Sequence, residues 1–316
     1  MTVVIKYLSL IKFSHTIFAM PFALIGFTLG LQRVQIDSNS GQWSLPKLMF
    51  ADDLASGGIV LLSYQQIAIK FVLVIFCMIF ARSAAMAFNR YLDRHFDAKN
   101  PRTAIREIPA GVLKADSVLW FTIGSSLLFM LSAWFINPLC FFLSPVALIV
   151  VLGYSFTKRF TALCHIVLGV GLSLAPIGAF LAVTGRFELL PVLFSLTVIC
   201  WVSGFDIIYA LQDEEFDKQH QLYSIPAMLG KAKALRVSEL LHVVSALLVI
   251  TAGWYGSFGW LYWVGVVVFA GMLIYQHSVV KPDDLRRVNL AFMTANGIAS
   301  VVFAVFVISD LLVKSN

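Results

Sequence analysis

The sequence has few charged residues. Only 13% of its 316 residues are Asp, Glu, Lys or Arg, whereas soluble domains have about 25%. Hydrophobic residues make up 59%, and the mean hydropathy is +0.87. This composition excludes a soluble globular protein and predicts an integral membrane protein whose surroundings are a lipid bilayer. The net charge of +6 would suggest a nucleic-acid partner only in a soluble protein, so we expect none here.

Cysteine and histidine are also scarce. The four cysteines, at positions 77, 140, 164 and 200, lie in apolar segments and form no C-x-x-C pair. This excludes a disulfide framework and a zinc site. The six histidines share no metal-ligand spacing, so we expect packing or interfacial positions for four of them and surface positions for two. The first four are His15, His165, His242 and His277, and the other two are His95 and His220.

Nine apolar runs are long enough to cross about 30 Å of hydrocarbon as helices. They lie near residues 12–31, 67–91, 117–136, 138–157, 161–183, 189–210, 237–256, 259–279 and 288–312. Turn signals, Asn137-Pro138 and the segment 256–259, separate two pairs of runs. We therefore predict an all-α integral membrane protein, with nine transmembrane helices in one bundle and a single domain, residues 1–316. The connection 32–66 is either an interfacial flap or a linker.

Two features of the first run are informative. Lys6 and Lys12 precede it, as in a signal peptide, but no small-residue cleavage site follows, so we interpret it as the first span. Within it, Gly26-x-x-x-Gly30 is typical of close helix packing.

Basic residues are concentrated in the connections on one side of the membrane in this layout. With the N-terminus in the cytoplasm, 17 lysines and arginines fall in cytoplasmic segments, five fall on the opposite side and Arg82 lies inside the membrane. The outer five are Arg33, Lys47, Lys70, Arg186 and Lys314. Because basic residues collect in cytoplasmic loops, this bias supports the nine spans. It predicts a multi-pass protein of the inner (cytoplasmic) membrane.

The second run ends in a ladder of oxygen-bearing side chains. Asn89, Asp93 and Asp97 are four residues apart, and each step of four on a helix turns by about 40° and rises by about 6 Å. Arg82 lies on nearly the same face, about 10 Å deeper. A charge inside a span costs about 2.5–3.5 kcal/mol and is functional by default. The alternatives are a solvated helix end for the ladder and a structural ion pair with Asp206 for Arg82.

The sixth run ends in a second ladder, Tyr209, Asp213 and Asp217, with the same spacing. Runs two and six have the same orientation, so both ladders lie at the cytoplasmic face. Two ladders at matching depth are difficult to explain as solvated helix ends. Facing each other, they could hold a pair of divalent ions such as Mg²⁺, with diphosphate oxygens completing the shells. Candidate cations for stabilising a departing diphosphate are Arg82, Arg102, Arg106, Lys158 and Arg159.

Four ordered motifs carry a family resemblance. They are Asn89-x-x-x-Asp93-x-x-x-Asp97, Arg102-Thr103-Ala104-x-Arg106-x-x-Pro109-x-Gly111, Tyr154-Ser155-x-x-Lys158-Arg159 and Asp206-x-x-Tyr209-Ala210-x-Gln212-Asp213-x-x-x-Asp217. Together they resemble the UbiA superfamily of intramembrane aromatic prenyltransferases over nearly the whole chain. Residues 7–16 and 81–90 look like the 4-hydroxybenzoate polyprenyltransferase-like branch, which includes enzymes assigned to the futalosine route to menaquinone. Two departures are Lys12, where many members have Arg, and the long 32–66 connection.

The resemblance implies a bundle around a central cavity that opens towards the cytoplasm and binds Mg²⁺–diphosphate. The implied metal ligands are Asn89, Asp93, Asp97, Asp213 and Asp217. The implied residues near the diphosphate and the reacting centre are Arg82, Tyr154, Lys158 and Arg159, with Asp93 and Asp213 also catalytic. The implied substrates are a polyprenyl diphosphate and an aromatic acid, such as 4-hydroxybenzoate or a dihydroxynaphthoate, in ubiquinone or menaquinone biosynthesis.

Charge and geometry indicate how such a reaction would run. Metals and cations aimed at the departing diphosphate would favour ionisation, and a lipid-lined cavity would keep water from the allylic cation. The aromatic ring would then attack the cation, and a base would remove the ring proton. Asp206, Asp93 or diphosphate itself could be that base, and the sequence does not choose among them.

Other functions fit parts of the pattern. A CDP-alcohol phosphotransferase also pairs Ala-Arg with D-x-x-x-D, but Cys77-Met78 and Asn89 stand where its pattern requires Asp-Gly and Gly. A secondary transporter would place its charged site near the midplane, on broken helices, whereas these ladders lie at one face. A prenyltransferase for a non-quinone acceptor is a further alternative.

Overall fold

The chain folds into helices that pack side by side. The structure, a computed structural model, describes residues 3–11, 18–39 and 64–315, and within these ranges the chain forms no β-sheet. The α-helices are α1 (Val3–Leu10), α2 (Met20–Asn39), α3 (Tyr64–Lys99), α4 (Ala115–Ile136), α5 (Pro138–Thr157), α6 (Cys164–Thr184), α7 (Leu189–Ala210), α8 (Glu214–Gln219), α9 (Ile225–Leu229), α10 (Lys231–Tyr255), α11 (Trp260–Val279) and α12 (Asn296–Ser315). A 3₁₀ turn, Leu211–Asp213, joins α7 to α8, and a π-helix, Leu290–Ala295, precedes α12.

Eight helical segments of the described residues are long and apolar enough to cross a membrane. They are α3, α4, α5, α6, α7 with α8, α10, α11, and the π-helix with α12. The predicted all-helical membrane fold is confirmed, and the runs 138–157 and 189–210 match α5 and α7 to the residue.

The count of nine spans and the cytoplasmic N-terminus stay predictions. The first predicted run, 12–31, begins at residues outside the described ranges, and α2 is not among the eight segments. Lys12, His15 and most of the 32–66 connection, residues 40–63, also lie outside those ranges.

The predicted turn at Asn137-Pro138 joins α4 to α5. Asn137 Oδ1 accepts a hydrogen bond from the Cys140 N–H at 2.8 Å, and Pro138 takes the first helical position, where no N–H is needed. The Asn137 side-chain amide donates to the Leu181 carbonyl in α6 at 2.9 Å. One buried residue thus ends α4, caps α5 and attaches both to α6.

Helices α2 and α6 approach closely at Gly26 and Gly30. A Cβ atom on Gly26 would lie 2.0 Å from the carbonyl oxygen of Pro176, and one on Gly30 would lie 2.8 Å from Cβ of Val183. Both distances are shorter than real Cβ contacts, so the approach requires glycine. The predicted close packing at G-x-x-x-G is confirmed.

The aromatic core lies between α2, α7, α11 and α12. The rings of Phe22, Trp201, Phe269 and Phe303 contact one another with centroids 5.2–6.5 Å apart. Such clusters contribute much of the packing energy of a core. Helices α3 to α7 form the other half of the bundle, which encloses two cavities. Helix α7 therefore has one side against the solid core and carries cavity-lining residues near its C-terminal end.

Lys70, which the charge count assigns to the side of the membrane opposite the cytoplasm, is buried in α3. Its side chain is 2% exposed, and its Nζ donates to the Ala182 carbonyl in α6 at 2.9 Å. Burial does not test the side of the membrane on which Lys70 lies, so its assignment to the side opposite the cytoplasm stays a prediction. The bond ties α3 to α6.

Candidate active site

The two predicted ladders line one cavity of about 260 Å³, which we call the polar cavity. Its wall comes from α3, α5, α6 and α7, the segments that follow α3, α5 and α7, and the π-helix. Ten of the eleven predicted site residues line it. They are Asn89, Asp93, Asp97, Arg102, Arg106, Tyr154, Lys158, Arg159, Asp213 and Asp217.

The first ladder is bonded to two arginines. Asp93 Oδ1 accepts from Arg159 at 2.8 Å, and Asp97 Oδ1 accepts from Arg106 at 2.6 Å. Asn89 donates its side-chain amide to the other oxygen of Asp93 at 3.0 Å. Hydrogen bonds between charged groups are stronger than neutral ones, so these contacts fix the ladder in place.

Arg102 joins the loop after the first ladder to the second ladder. Its guanidinium donates to both carboxylate oxygens of Asp213 and to the Tyr209 hydroxyl at 2.9 Å. Asn100 donates to the same carboxylate at 3.1 Å. Burial acts to lower the pKa of Arg102, but its hydrogen bonds and charge interactions with Asp213 and Tyr209 raise the pKa overall. Arg102 is therefore a permanent cation between the two ladders.

Lys158 pairs with Asp217, the last acid of the second ladder. Its Nζ lies 2.7 Å from Asp217 Oδ1, and the Asp217 side chain is fully buried. Ser224 donates to the other oxygen of Asp217 at 2.8 Å. Burial acts to lower the pKa of Lys158, but Asp217, with a further contribution from Asp213, raises it overall. Lys158 therefore stays protonated at physiological pH.

The second ladder differs from a regular helix. Helix α7 ends at Ala210, and Leu211–Asp213 is a 3₁₀ turn, so Tyr209 and Asp213 are not on consecutive turns of one α-helix as predicted. A 3₁₀ turn has about 3.0 residues instead of 3.6, which changes the direction of the side chains that follow. After this turn, Asp213 and Asp217 are both buried against cations from other segments.

Buried polar atoms without hydrogen bonds collect at the cavities. Among the described residues they include Arg90 Nε, Asp97 Oδ2 and Ser155 Oγ in the wall of the polar cavity. Arg82 Nε is another, in the wall of the second cavity. Buried polar groups in proteins are normally paired. Their concentration here indicates a site that binds a polar ligand.

The second cavity is apolar and has a volume of about 400 Å³. Helices α3, α4, α5 and α6 supply most of its wall. Met86, Tyr154 and Leu168 line both cavities, so the apolar cavity adjoins the polar one. The arrangement suits a ligand with an anionic head and a long apolar tail.

Arg82 lies in the wall of the apolar cavity, apart from the ladder cations. It is the predicted site residue that does not line the polar cavity. Its alternative partner, Asp206, pairs instead with His165 at 2.7 Å, and Arg82 forms no ion pair with any described residue. The predicted structural pair between Arg82 and Asp206 is therefore absent from this part of the chain.

The π-helix places an aromatic side chain against the polar cavity. Phe292 lines the cavity and packs on Tyr209 with centroids 4.3 Å apart. The side-chain amide of Asn296 donates to the carbonyls of Ala291 and Phe292, and its oxygen accepts from Trp201. This network stabilises the π-helix and holds the Phe292 ring beside Tyr209.

Several cavity residues were not predicted as site residues. Arg90 is counted from the sequence as a cytoplasmic cation, but it is 4% exposed within α3 and lines the polar cavity. Asn100 and Ser155 also contribute; Asn100 lies between two of the predicted motifs, and Ser155 lies within another. His165 is expected at a packing or interfacial position; it is buried and also contacts Asp206 in the cavity wall. No spacing in the sequence links these last two residues.

The donor set fits Mg²⁺ shared with a phosphate ligand. Among the described residues, no three His, Cys, Asp or Glu side chains lie close enough together to hold a metal ion by themselves. Mg²⁺ commonly takes only one or two protein carboxylates, with substrate phosphates and water as its other ligands. The ladders supply hard oxygen donors around one cavity, and Asp97 Oδ2 is buried without a hydrogen bond.

Together these features define a helical membrane protein with a charged cavity next to an apolar one. Residues 54–298 match the model of the UbiA prenyltransferase family, and the chain belongs to this family of prenyl-transferring enzymes. The resemblance predicted from the sequence is confirmed. Family membership favours an enzyme over a transporter or a CDP-alcohol phosphotransferase.

Relatives with known names support this assignment. The chain is 30% identical over 257 residues to a 4-hydroxybenzoate octaprenyltransferase of Francisella tularensis subsp. novicida, covering 81% of this chain and 87% of the relative. It is 30% identical over 223 residues to the enzyme of the same name from Tolumonas auensis, covering 71% and 78%.

Solved structures share the fold. A UbiA homolog from Aeropyrum pernix K1, in its apo form, has a TM-score of 0.73 and 26% identity and covers 95% of this chain and 98% of its own. A UbiA homolog from Archaeoglobus fulgidus, bound to GPP and Mg²⁺, has a TM-score of 0.64 and 18% identity and covers 97% and 99%.

Proposed function

We propose that the protein transfers a polyprenyl group from an allylic polyprenyl diphosphate to an aromatic acid and releases diphosphate. We place the reaction in ubiquinone or menaquinone biosynthesis, in the cytoplasmic membrane, with the polar cavity open to the cytoplasm and the whole chain as one domain. The observation that carries the proposal is the polar cavity, with its two acidic ladders and their cations, adjoining a 400 Å³ apolar cavity. The relatives named 4-hydroxybenzoate octaprenyltransferase support the choice of acceptor class.

Mg²⁺ would be held by the oxygens of the two ladders. The proposed ligands are Asn89, Asp93, Asp97, Asp213 and Asp217. When bound, Mg²⁺ supplies positive charge that stabilises the departing diphosphate.

The chain's own cations stabilise the same charge. Arg102, Arg106, Lys158 and Arg159 surround the ladders and are already held by carboxylates at hydrogen-bonding distance. Charges that are fixed before the reaction need no reorganisation while the leaving group departs, which is the main advantage of a preorganised site. Arg82 and Arg90 have no carboxylate partner among the described residues, so they are available to anionic groups of the substrates.

The apolar cavity would receive the prenyl chain. Its wall excludes water, which would otherwise capture the allylic cation as an alcohol. Tyr154 lines both cavities, so it lies where the head and the tail of a bound diphosphate meet. We therefore place Tyr154 at the reacting centre, beside the diphosphate-binding cations.

The test is a transfer assay on membranes that contain the protein. They are incubated with labelled allylic diphosphate and either 4-hydroxybenzoate or a dihydroxynaphthoate, with Mg²⁺ or with EDTA. We expect label in a prenylated aromatic acid with Mg²⁺ only, and a loss of at least about 100-fold in Asp93→Ala and Asp213→Ala.

A matched control is Asp283→Ala, because Asp283 is an exposed aspartate outside both cavities. It should keep wild-type activity. Transfer in EDTA, or unchanged transfer in Asp93→Ala and Asp213→Ala, would show the proposal to be wrong. Mass spectrometry of the quinones in a deletion strain would identify the acceptor.

A further inference from the structure

His165 and Asp206 form a pair in the wall of the polar cavity. Nδ1 of His165 lies 2.7 Å from Oδ2 of Asp206. The His165 side chain is 3% exposed, whereas that of Asp206 is 23% exposed, and both residues line the cavity. The imidazole is thus covered by protein, and the carboxylate is the member with access to a ligand.

The imidazole donates its proton to Asp206. Nε2 of His165 accepts a long hydrogen bond, 3.4 Å, from the backbone N–H of Ile225. The ring proton is therefore assigned to Nδ1 from the hydrogen-bond partners. The pair is therefore an imidazole that holds a carboxylate through its Nδ1 proton.

A histidine partner distinguishes Asp206 from the four ladder aspartates. Each of those four contacts an arginine or a lysine at the cavity wall. Asp206 pairs with no arginine or lysine among the described residues, so its part-exposed carboxylate is open to a ligand in the cavity. Asp206 is also outside the proposed set of metal ligands.

The pair lies close to the junction of the two cavities. Leu168 follows His165 by one turn on α6 and lines both cavities, as Tyr154 does from α5. A bound allylic diphosphate with its head in the polar cavity and its tail in the apolar one has its reacting carbon at this junction. An aromatic ring that attacks this carbon would then be within reach of the wall that contains Asp206.

We propose that Asp206 is the general base of the transfer and that His165 is the residue that positions it. The inference rests on the proposed function. The C–O bond between the prenyl C1 and diphosphate breaks, and its electron pair leaves on diphosphate. The ring π electrons form the new C–C bond, the Asp206 carboxylate takes the ring proton from that carbon, and the C–H electron pair restores the aromatic ring. His165 keeps its own proton throughout.

The test uses the purified full chain in lipid nanodiscs with Mg²⁺, an allylic polyprenyl diphosphate and the aromatic acid that reacts in the assay above. The acid carries either hydrogen or deuterium on its ring. Diphosphate release and prenylated product are measured separately. In Asp206→Asn we expect product formation to fall by at least about 100-fold, the usual scale of general-base catalysis, with diphosphate release within about threefold of wild type and prenyl alcohol as the new product.

The isotope effect provides a readout that a structural role would not change. Proton removal becomes the slow step in Asp206→Asn, so ring deuterium should slow product formation in the variant more than in the wild type. His165→Gln should lower product formation by about tenfold and shift the isotope effect in the same direction. Asp206→Glu should recover part of the loss. The matched control is His277→Gln, outside both cavities, which should leave the product ratio and the isotope effect unchanged.

Two outcomes would overturn the inference while leaving the proposed function intact. One is an Asp206→Asn variant that forms product at the wild-type rate. The other is a variant that loses diphosphate release together with product, since a base that acts after ionisation is not needed for it. A wild-type chain that releases diphosphate but prenylates no aromatic acid would overturn the proposed function, and the inference with it.

Discussion

Lys158 and Arg159 are consecutive residues, yet they bind carboxylates of different ladders. Lys158 Nζ lies 2.7 Å from Asp217 Oδ1, and Arg159 Nη2 lies 2.8 Å from Asp93 Oδ1. Helix α5 ends at Thr157, so the two side chains leave the chain just beyond the helix and diverge. This dipeptide therefore sets the separation between the acids of α3 and those that follow α7.

Lys158→Arg should not change how stability depends on pH below about pH 10. The ion pair with Asp217 outweighs burial and raises the pKa of Lys158 above its ordinary value of 10.5. A raised pKa in the folded state means that the stabilisation is complete below the unfolded-state pKa and is lost only as the pH rises through the folded-state pKa. Arginine has a pKa above about 12, so it keeps its charge at still higher pH.

Thermal unfolding of the two proteins in detergent, from about pH 6 to about pH 11.5, checks this expectation. The difference between their Tm values should stay constant up to about pH 10, and the wild type should lose more stability above it. A change in that difference near neutral pH would contradict the assignment of Lys158 as a permanent cation.

Arg90→Gln should weaken binding of the aromatic acid. Arg90 is buried, lines the polar cavity and has no hydrogen bond from its Nε, so it is available to a carboxylate of the acceptor. Because hydrogen bonds to charged groups contribute about 1.5–3 kcal/mol, we expect the KM for the acid to rise at least about tenfold. The KM for the prenyl diphosphate should change much less. Steady-state kinetics with each substrate varied in turn measures both.

The control for Arg90 is Arg94→Gln, one turn along the same helix. Arg94 donates to the Tyr91 carbonyl and does not line the polar cavity. Its substitution should leave both KM values near those of the wild type. If Arg90→Gln raised the KM of the diphosphate instead, Arg90 would belong to the diphosphate site.

Gly178→Leu should shorten the longest prenyl chain that the protein accepts. Gly178 lines the apolar cavity, and a Cβ atom there would meet no other atom within 4 Å. The new side chain can therefore extend into the cavity without displacing the helices and take up space that the prenyl chain would use. A series of diphosphates of increasing length, assayed with the wild type and the variant, should show a selective loss of the longer ones.

Gly271→Leu provides the comparison, because Gly271 is exposed on α11 and also has open space around it. It adds the same side chain outside the cavities and should keep the wild-type length preference. Equal losses for short and long chains in Gly178→Leu would indicate general damage to the site and would count against the cavity as the prenyl chamber.

Asp310→Ala should lower stability without a specific effect on transfer. Helix α11 has no N-capping side chain from its own segment, and Asp310 of α12 accepts hydrogen bonds from the Gly259 N–H at 2.7 Å and the Tyr262 N–H at 3.4 Å. Loss of such a cap costs about 0.5–2 kcal/mol. Asp310→Asn keeps an acceptor oxygen and should lose less. Thermal unfolding measures the change in Tm. Unchanged KM values in the folded fraction would show that the substitution affects stability and not the active site.

The sequence predicts the helices well where composition alone determines them. Asn137-Pro138 ends α4 and begins α5 because one residue caps and the other lacks an N–H, both local properties of the chain. The first acidic ladder is also local, since its spacing on the regular helix α3 determines that the acids share a face, whereas a 3₁₀ turn after α7 changes this arrangement for the second ladder. The meeting of the two ladders in one cavity follows from the equal orientation of the two spans, which the distribution of charge indicates.

The remaining features depend on contacts between distant segments. His165 and Asp206 are 41 residues apart, and no periodicity links a histidine at the start of one helix to an aspartate near the end of the next. Arg90 is counted as a cytoplasmic cation, and its burial in a helix that continues to Lys99 has no local signal in the sequence. The same limit applies to Lys70, whose partner is a backbone carbonyl and so has no signature in the sequence.

The π-helix at Leu290–Ala295 has a consequence for insertions and deletions. A π-turn contains one more residue than an α-turn, and one residue rotates an α-helix by about 100°. Deletion of one residue from this segment would allow a regular helix, but it would rotate Phe292 away from Tyr209 or move Phe303 out of the aromatic core. Both contacts require the extra residue. The segment should therefore not tolerate a change in length.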